Sequence, residues 1–331
     1  MRRRNFFLLT LLALLLLPFG TVGCGKGKLK VGFVSNNSAE FWTIAEAGAN
    51  KAARELDVEC LFLRPPNGTA AEQKNIIEDL LTQDVKAIAI SVNDPENQKS
   101  YLNEIAARVP LITQDNDAPD SRRLCYIGTD NYEAGKEVGK LVKQVMPKGG
   151  KIAIFVGRPD ALNAQERRQG VLDELAGTKD AKGPEKFGKY TLHHPPAYFD
   201  YVDQAKCKEQ AADALTQLQN EENVCLIGLW QYNPPAIYQA VKQAGKLGKV
   251  KIVGFDEHDT TLLEIKAGNI YGTVVQNPYE FGYQSVKIMT ALARGDRSVL
   301  PKNGIWHIPH RVFKQDNVEP FHNELRKLLG K

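Results

Sequence analysis

Two aspartates hold positions from which a carboxylate can reach a bound solute. Asp115 follows the apolar run Leu111-Ile112-Thr113-Gln114, and Asp256 follows Val253-Gly254-Phe255. An acidic side chain at the end of a buried strand can accept hydrogen bonds from two hydroxyls at once. Arg167, in Ala164-Gln165-Glu166-Arg167-Arg168, offers a planar fork that can donate to two neighbouring oxygens. Helical phase read from sequence does not separate it from Arg168. Phe41 and Trp42 follow the first apolar strand; Phe41 shares a helical stripe with Ile44 and Gly48, whereas Trp42 falls off that stripe, so at least one of the two faces a cleft. Paired carboxylates can also perform acid/base work on a glycosidic bond. The chain has no Gly-x-Ser-x-Gly elbow, no phosphate-cradling glycine loop and no His-Glu-x-x-His motif. Binding without covalent chemistry, cofactor or metal is therefore expected, and the protein is not expected to be an enzyme.

The elements that must position these groups alternate regularly. Strands are expected at 30–34, 59–63, 87–91 and 111–113, separated by helices at 40–56, 70–83 and 97–108. A second series has helices at 132–146, 165–175, 203–219, 234–244 and 260–266, with strands at 151–156, 190–193, 224–229, 251–254 and 271–275. A last long helix is expected at 279–293, and 177–189 reads as a surface loop. The strands are continuous apolar runs, as parallel strands covered by helices on both faces should be. The fold class is α/β, with two doubly wound parallel-sheet lobes.

Length and composition agree. The 331 residues suit two lobes, and 43% apolar with 25% charged residues is ordinary for a globular protein. With 43 Lys and Arg against 39 Asp and Glu, the formal charge of +4 is spread along the chain and calls for no nucleic-acid partner. Arg2, Arg3 and Arg4 precede an apolar run from Phe6 to Phe19, the length of a secretory signal core and short for a membrane span. The stretch Thr21-Val22-Gly23-Cys24 resembles a bacterial lipoprotein signal, which implies a signal peptide at 1–23, lipidation at Cys24 and a polar spacer at 24–28. Attachment to a membrane would then be through the lipid alone, and the protein would lie in the periplasm or cell envelope. Cys60, Cys125, Cys207 and Cys225 are even in number, which allows one or two disulfides in an exported chain. Three of them sit inside apolar strand runs, where a cysteine behaves as a small buried hydrophobe, and free thiols are the expectation.

The strand ends also carry a resemblance. Val34-Ser35-Asn36-Asn37 leading to Phe41-Trp42, then Ile112-Thr113-Gln114-Asp115, Ile127-Gly128-Thr129-Asp130-Asn131, Gln165-Glu166-Arg167, Val253-Gly254-Phe255-Asp256 and Gln276-Asn277-Pro278 resemble the periplasmic sugar-binding family. That family includes the ribose-, galactose- and xylose-binding proteins of bacterial ABC importers. The resemblance implies a type I periplasmic binding fold: two lobes joined by three crossings near Thr129, Gln276 and Trp306, closing on a sugar by hinge bending. The first lobe would be 29–129 plus 277–304, and the second 130–276 plus 305–331.

It further implies a site. A sugar has apolar C–H faces and a rim of hydroxyls, so aromatic plates and multidentate polar groups are needed. Phe41 and Trp42 would cover one face and Phe199 the other, with Asp115, Arg167, Asp256 and Gln276 on the rim and Ser35 and Ser91 as minor contacts. Asn116 stands where several relatives have Arg. In Leu229-Trp230-Gln231-Tyr232-Asn233, either Trp230 is a further plate or Asn233 takes over a polar role. The implied protein is a monomer that delivers a monosaccharide to the permease subunits of an ABC importer. The alternative is a sensory protein that binds a sugar or furanosyl signal and presents its closed form to a chemoreceptor or sensor kinase. A sugar-responsive repressor shares the fold, but it would need a helix-turn-helix domain where this chain has an export signal.

Overall fold

Eight elements build a first sheet in the order strand, helix, strand. They are β1 (Lys30–Val34), α1 (Phe41–Leu56), β2 (Glu59–Leu63), α2 (Ala70–Thr82), β3 (Ile88–Ile90), α3 (Pro95–Arg108), β4 (Leu111–Gln114) and β5 (Tyr126–Gly128). The computed structural model describes residues 27–183 and 185–330. The signal stretch 1–23 and Cys24 lie outside the described residues. The chain then enters a second sheet through α4 (Asn131–Val145), β6 (Gly150–Val156), α5 (Leu162–Ala176), β7 (Lys186–Phe187), β8 (Tyr190–Leu192) and β9 (Tyr198–Phe199). This sheet continues through α6 (Gln204–Gln217), β10 (Val224–Gly228), α7 (Asn233–Gln243), β11 (Lys251–Phe255), α8 (Asp259–Lys266) and β12 (Gly272–Val275). The tail adds α9 (Pro278–Ala293), β13 (Ile305–His307), β14 (Arg311–Lys314) and α10 (Val318–Leu328).

The first sheet has the order β13-β5-β4-β3-β1-β2, parallel throughout. The second runs β14-β12-β11-β10-β6-β8-β7, with β9 also on β6; only the β12–β14 and β7–β8 pairings are antiparallel. Helices cover both faces of each sheet, so the central strands β3, β4, β5, β10 and β12 are buried at every position. Several helix starts are set by side-chain caps. Thr69 and Glu72 form a capping box on α2, Asp130 accepts from the Glu133 N–H on α4, and Asn277 accepts from the Glu280 N–H on α9. The last two caps stand where the chain leaves one sheet for the other.

The chain passes between the sheets three times, after β5, between β12 and α9, and between β13 and β14. The third passage corrects the sequence reading, which gave 305–331 to the second lobe. β13 pairs with β5 through Ile305↔Tyr126 and His307↔Gly128, so 305–307 belongs to the first sheet and the chain crosses at 308–310. Four short strands, β7, β9, β13 and β14, were not read as strands, because two to four residues carry no period. β7 lies within the expected loop 177–189. α10 was also missed, although Val318, Phe321, His322 and Leu325 form a buried stripe at helical spacing. Cys60, Cys125, Cys207 and Cys225 are all free thiols, and all but the half-buried Cys60 are fully buried.

Two helix contacts hold the elements that carry the cleft residues. A Cβ on Gly48 of α1 would lie 2.0 Å from the Tyr279 carbonyl of α9, and a Cβ on Gly170 of α5 would lie 2.2 Å from the Tyr132 carbonyl of α4. Only glycine permits these approaches. Gly170→Ala should destabilise the protein by about 1 to 3 kcal/mol through overpacking against backbone, measured by urea unfolding. Unchanged stability would show that α4 and α5 are not in this contact.

Candidate functional site

Asp115 and Asp256 terminate corresponding strands, β4 and β11, and both have left-handed backbones, with φ of 60° and 66°. Aspartate tolerates this region better than most residues. The same bonding holds each turn. The Asp115 N–H donates to the Ile127 carbonyl at 3.1 Å and the Asp256 N–H to the Val274 carbonyl at 2.7 Å. Tyr126 Oη donates to the Asp115 carbonyl at 3.0 Å and Thr273 Oγ1 to the Asp256 carbonyl at 2.9 Å. The two carboxylates, one from each sheet, line a cavity of about 350 Å³ including its mouth.

Arg167 of α5 reaches the same cavity with 1% exposure. Its Nε donates to Asn131 Oδ1 and its Nη1 to the Leu229 carbonyl, both at 2.9 Å, and its guanidinium lies 3.9 Å from the centre of the Phe255 ring. Nη1 is 3.9 Å from Asp256 Oδ2. Nη2 is buried without a partner, as are Gln276 Oε1, Asn163 Oδ1 and Trp230 Nε1, all in residues that line the cavity. Gln276 Nε2 donates to Asp256 Oδ1 at 2.9 Å. On Asp115, Oδ2 accepts from Ser91 Oγ at 2.7 Å and from Asn36 Nδ2 at 3.4 Å; Trp42 Nε1 in turn donates to Asn36 Oδ1 at 3.1 Å. Phe41 and Trp42 meet edge to face, with ring centres 5.1 Å apart, and both line the cavity. Trp230 forms the opposing aromatic wall beside Tyr232, where Gly157 makes room: a Cβ there would lie 2.1 Å from the indole. The arrangement is two carboxylate acceptors, one fixed cationic donor, several side-chain amides and aromatic walls, which suits a small uncharged molecule rich in hydroxyls.

The sheets also touch across the cleft. The Asn163 N–H donates to Asn116 Oδ1 at 2.9 Å, the Phe41 N–H to Gln231 Oε1 at 3.3 Å, and Arg158 Nη1 to the Gly68 carbonyl at 3.3 Å.

Residues 31–297 match the family described as periplasmic binding protein domain. The chain belongs to this family. Among related family members, the ribose import binding protein RbsB of Haemophilus influenzae is 28% identical over 272 residues, which is 80% of this chain and 85% of the relative. The D-allose-binding periplasmic protein of Escherichia coli is 26% identical over 267 residues, covering 76% and 80% of the two chains. Among solved structures, GanP, a glucose-galactose binding protein of Geobacillus stearothermophilus, superposes with a TM-score of 0.79 at 25% identity over 89% of this chain and 100% of its own. A Burkholderia graminis ABC transporter solute-binding protein in complex with D-arabinose gives 0.79 at 26% identity over 88% and 97%.

Within this family fold, seven of the residues singled out from sequence line one cavity: Phe41, Trp42, Asp115, Arg167, Trp230, Asp256 and Gln276. The structure also separates the adjacent arginines, since Arg168 lines a different depression. Five other residues singled out from sequence do not line that cavity. Phe199 pairs with Val156 at the β6 edge and lines that other depression with Tyr132 and Glu166, because the next residue, Asp200, is drawn into the core by Tyr232 and Asn233. Asn233 is spent on Asp200 and on the Trp230 N–H, so it supports the indole and does not face the cavity. Ser35 Oγ bonds the Asn37 carbonyl, and Ser91 Oγ orients Asp115. Asn116 bonds the Val92 carbonyl and the Asn163 N–H. Sequence reasoning missed Asn36, Asn37, Ala39, Asn163, Gln231 and Tyr232 in the cavity wall. Asn36 and Asn37 stood in the quoted strand-end motif, and Gln231 and Tyr232 beside Trp230.

Burial pushes both Asp115 and Asp256 up to about 6, and the Arg167 charge offsets only part of that rise. In the unfolded chain both return to the ordinary value of about 3.9. Between these values the folded protein binds more protons, so the stability these groups contribute is complete below about pH 4 and lost as pH rises through about 6. The melting temperature of the ligand-free protein, relative to the Asp115→Asn/Asp256→Asn double variant, should therefore fall between pH 4 and 7. A constant difference across that range would show that the carboxylates are hydrated in solution.

Proposed function

We propose that this protein is an exported solute-binding protein that captures a monosaccharide between its two lobes and delivers it to the permease subunits of an ABC importer. The observation that carries the reading is the meeting of Asp115, Arg167, Asp256 and Gln276 between aromatic walls, with Arg167 Nη2 and Gln276 Oε1 buried and unpaired. Sugar hydroxyls supply both donors for the carboxylates and acceptors for the guanidinium. The relatives' names support the ligand class: ribose and D-allose for two of them, and D-arabinose in the Burkholderia complex. The relatives are binding proteins, and in this reading the carboxylates hold the ligand without reacting with it.

The two lobes are the units built on the two sheets, and the hinge is the set of three crossings at 129–131, 276–278 and 308–310. Cys24 carries the lipid that tethers the mature chain to the envelope membrane.

The test is isothermal calorimetry of the purified protein against pentoses, hexoses and polyols. One monosaccharide should bind with clear preference. Asp256→Ala should weaken it by about ten- to hundredfold, corresponding to 1.5 to 3 kcal/mol for a hydrogen bond to a charged group. Absence of binding to every sugar, by folded protein freed of copurified ligand, would overturn the reading. Arg158 touches Gly68 across the cleft without lining the cavity. If closure accompanies binding, Arg158→Ala should weaken the same sugar by about two- to tenfold, the worth of one hydrogen bond; equal affinity would remove this contact from the closing equilibrium.

A further inference from the structure

Glu257, the residue after Asp256, belongs to a different cavity. It is 3% exposed, and neither of its carboxylate oxygens has a hydrogen-bond partner. The space it lines lies behind the cleft, at the crossings between the sheets, and measures about 1590 Å³ including its open mouth. Ile44 of α1 and Tyr279 of α9 form one side; Phe321, Leu325 and Leu328 of α10 form the other. Gln276 lines both this cavity and the front one, so the two share a wall. Arg311 also lines the rear space, but its guanidinium is stacked over the Phe313 and Phe321 rings at 5.3 and 4.7 Å from their centres.

An uncompensated buried carboxyl is strongly disfavoured if ionised, and it is seldom left without a donor. Burial and the adjoining Asp256 push the Glu257 pKa well above the carboxylate range. A neutral hydroxyl would supply one hydrogen bond. An ammonium supplies three donors together with a positive charge at contact, whereas Arg311 acts on Glu257 without an ion pair and Lys327 of the same lining makes none with it, and aromatic walls favour a cation.

We propose that the rear cavity is a second ligand site, which takes a small amphipathic organic cation with its ammonium on the Glu257 carboxylate and its apolar body against Tyr279, Phe321 and Leu325. Benzylamine is the probe, and benzyl alcohol its uncharged counterpart. By calorimetry on the purified protein, benzylamine should bind the wild type and bind Asp115→Asn equally well, with benzyl alcohol at least about tenfold weaker. Glu257→Gln keeps the shape and removes the charge, and it should weaken benzylamine by about tenfold or more. A benzylamine-soaked crystal of the wild type should place the nitrogen about 3 Å from the Glu257 carboxylate. Equal affinity in Glu257→Gln would overturn the proposal, as would no measurable binding. Loss of binding in Asp115→Asn would place the amine in the front cleft and overturn it too. None of these outcomes depends on whether a sugar binds, so the proposal stands or falls separately from the transport reading.

Discussion

A guanidinium with 1% exposure must be neutralised where it stands, and most of the cleft can be derived from how Arg167 is accommodated. Removing an ion from water costs several kcal/mol even after relaxation, and one ion pair at 3.9 Å does not offset that alone. The remainder comes from Asn131 Oδ1, the Leu229 carbonyl and the face of Phe255. Each of these lies at or beside a strand end: Asn131 after β5, Leu229 after β10, Phe255 at the end of β11. The guanidinium thus ties together the carboxyl edges of several strands, where open α/β sheets bind their ligands. The glycine contact between α4 and α5 is part of the same constraint, because it fixes the helix from which Arg167 projects.

The acidic half of the site uses one local solution twice. Asp115 and Asp256 each leave a parallel strand in a left-handed conformation, with the N–H on the next strand and the carbonyl held by a hydroxyl from that neighbour. A residue in this conformation reverses the strand's direction of exit and turns the side chain across the sheet edge. The strain belongs to functional sites and persists because the surrounding bonds over-determine it. Around this repeat the partners differ. Ser91 and Asn36 serve Asp115, whereas Gln276 and Arg167 serve Asp256. The site is therefore asymmetric in donors although its scaffold repeats, as recognition of an asymmetric ring requires.

The alternation of apolar strands and amphipathic helices made most of the α/β elements legible, because each strand is buried on both faces and each long helix has one apolar stripe. Polar residues at strand ends were legible as a region, and the cavity residues come from those positions. Their individual roles were not legible. Ser35, Ser91 and Asn116 stand at strand ends as Asp115 and Asp256 do, and Asn233 opens the helix after one, but their hydrogen bonds go to Asn37, Asp115, Val92 and Asp200. Which partner wins is decided by distances between segments far apart in sequence. Phe199 lies off the cavity for the same reason, since the pull on Asp200 comes from residues 32 and 33 positions away. The third crossing was expected a few residues early, near Trp306, because β13 is a three-residue strand with exposed Trp306 and His307, so its pattern carries neither period nor burial.

In the proposed closing of the two lobes, the charge arithmetic of the cleft links occupancy to closure. With Arg167 buried between two carboxylates, one negative charge lacks an equal partner, and burial holds both acids at about 6. In an open cleft water hydrates that excess. Closing as proposed would remove that water, and the contacts Asn116 to Asn163 and Gln231 to Phe41 across the cleft are ordinary hydrogen bonds of about 1 kcal/mol each. Two or three such bonds do not clearly exceed the cost of desolvating a carboxylate, so the empty closed state has little advantage of its own. A ring of hydroxyls changes the balance, because it replaces the lost water at both carboxylates and at Arg167 Nη2 while the aromatic walls bury its C–H faces. A ligand shifts such an equilibrium only by its difference in affinity for the two states, and here the difference arises at atoms contributed by opposite sheets. Selectivity then follows from the same cost: a molecule that lacks one of the required hydroxyls leaves a buried charge unpaired, and closing becomes unfavourable again.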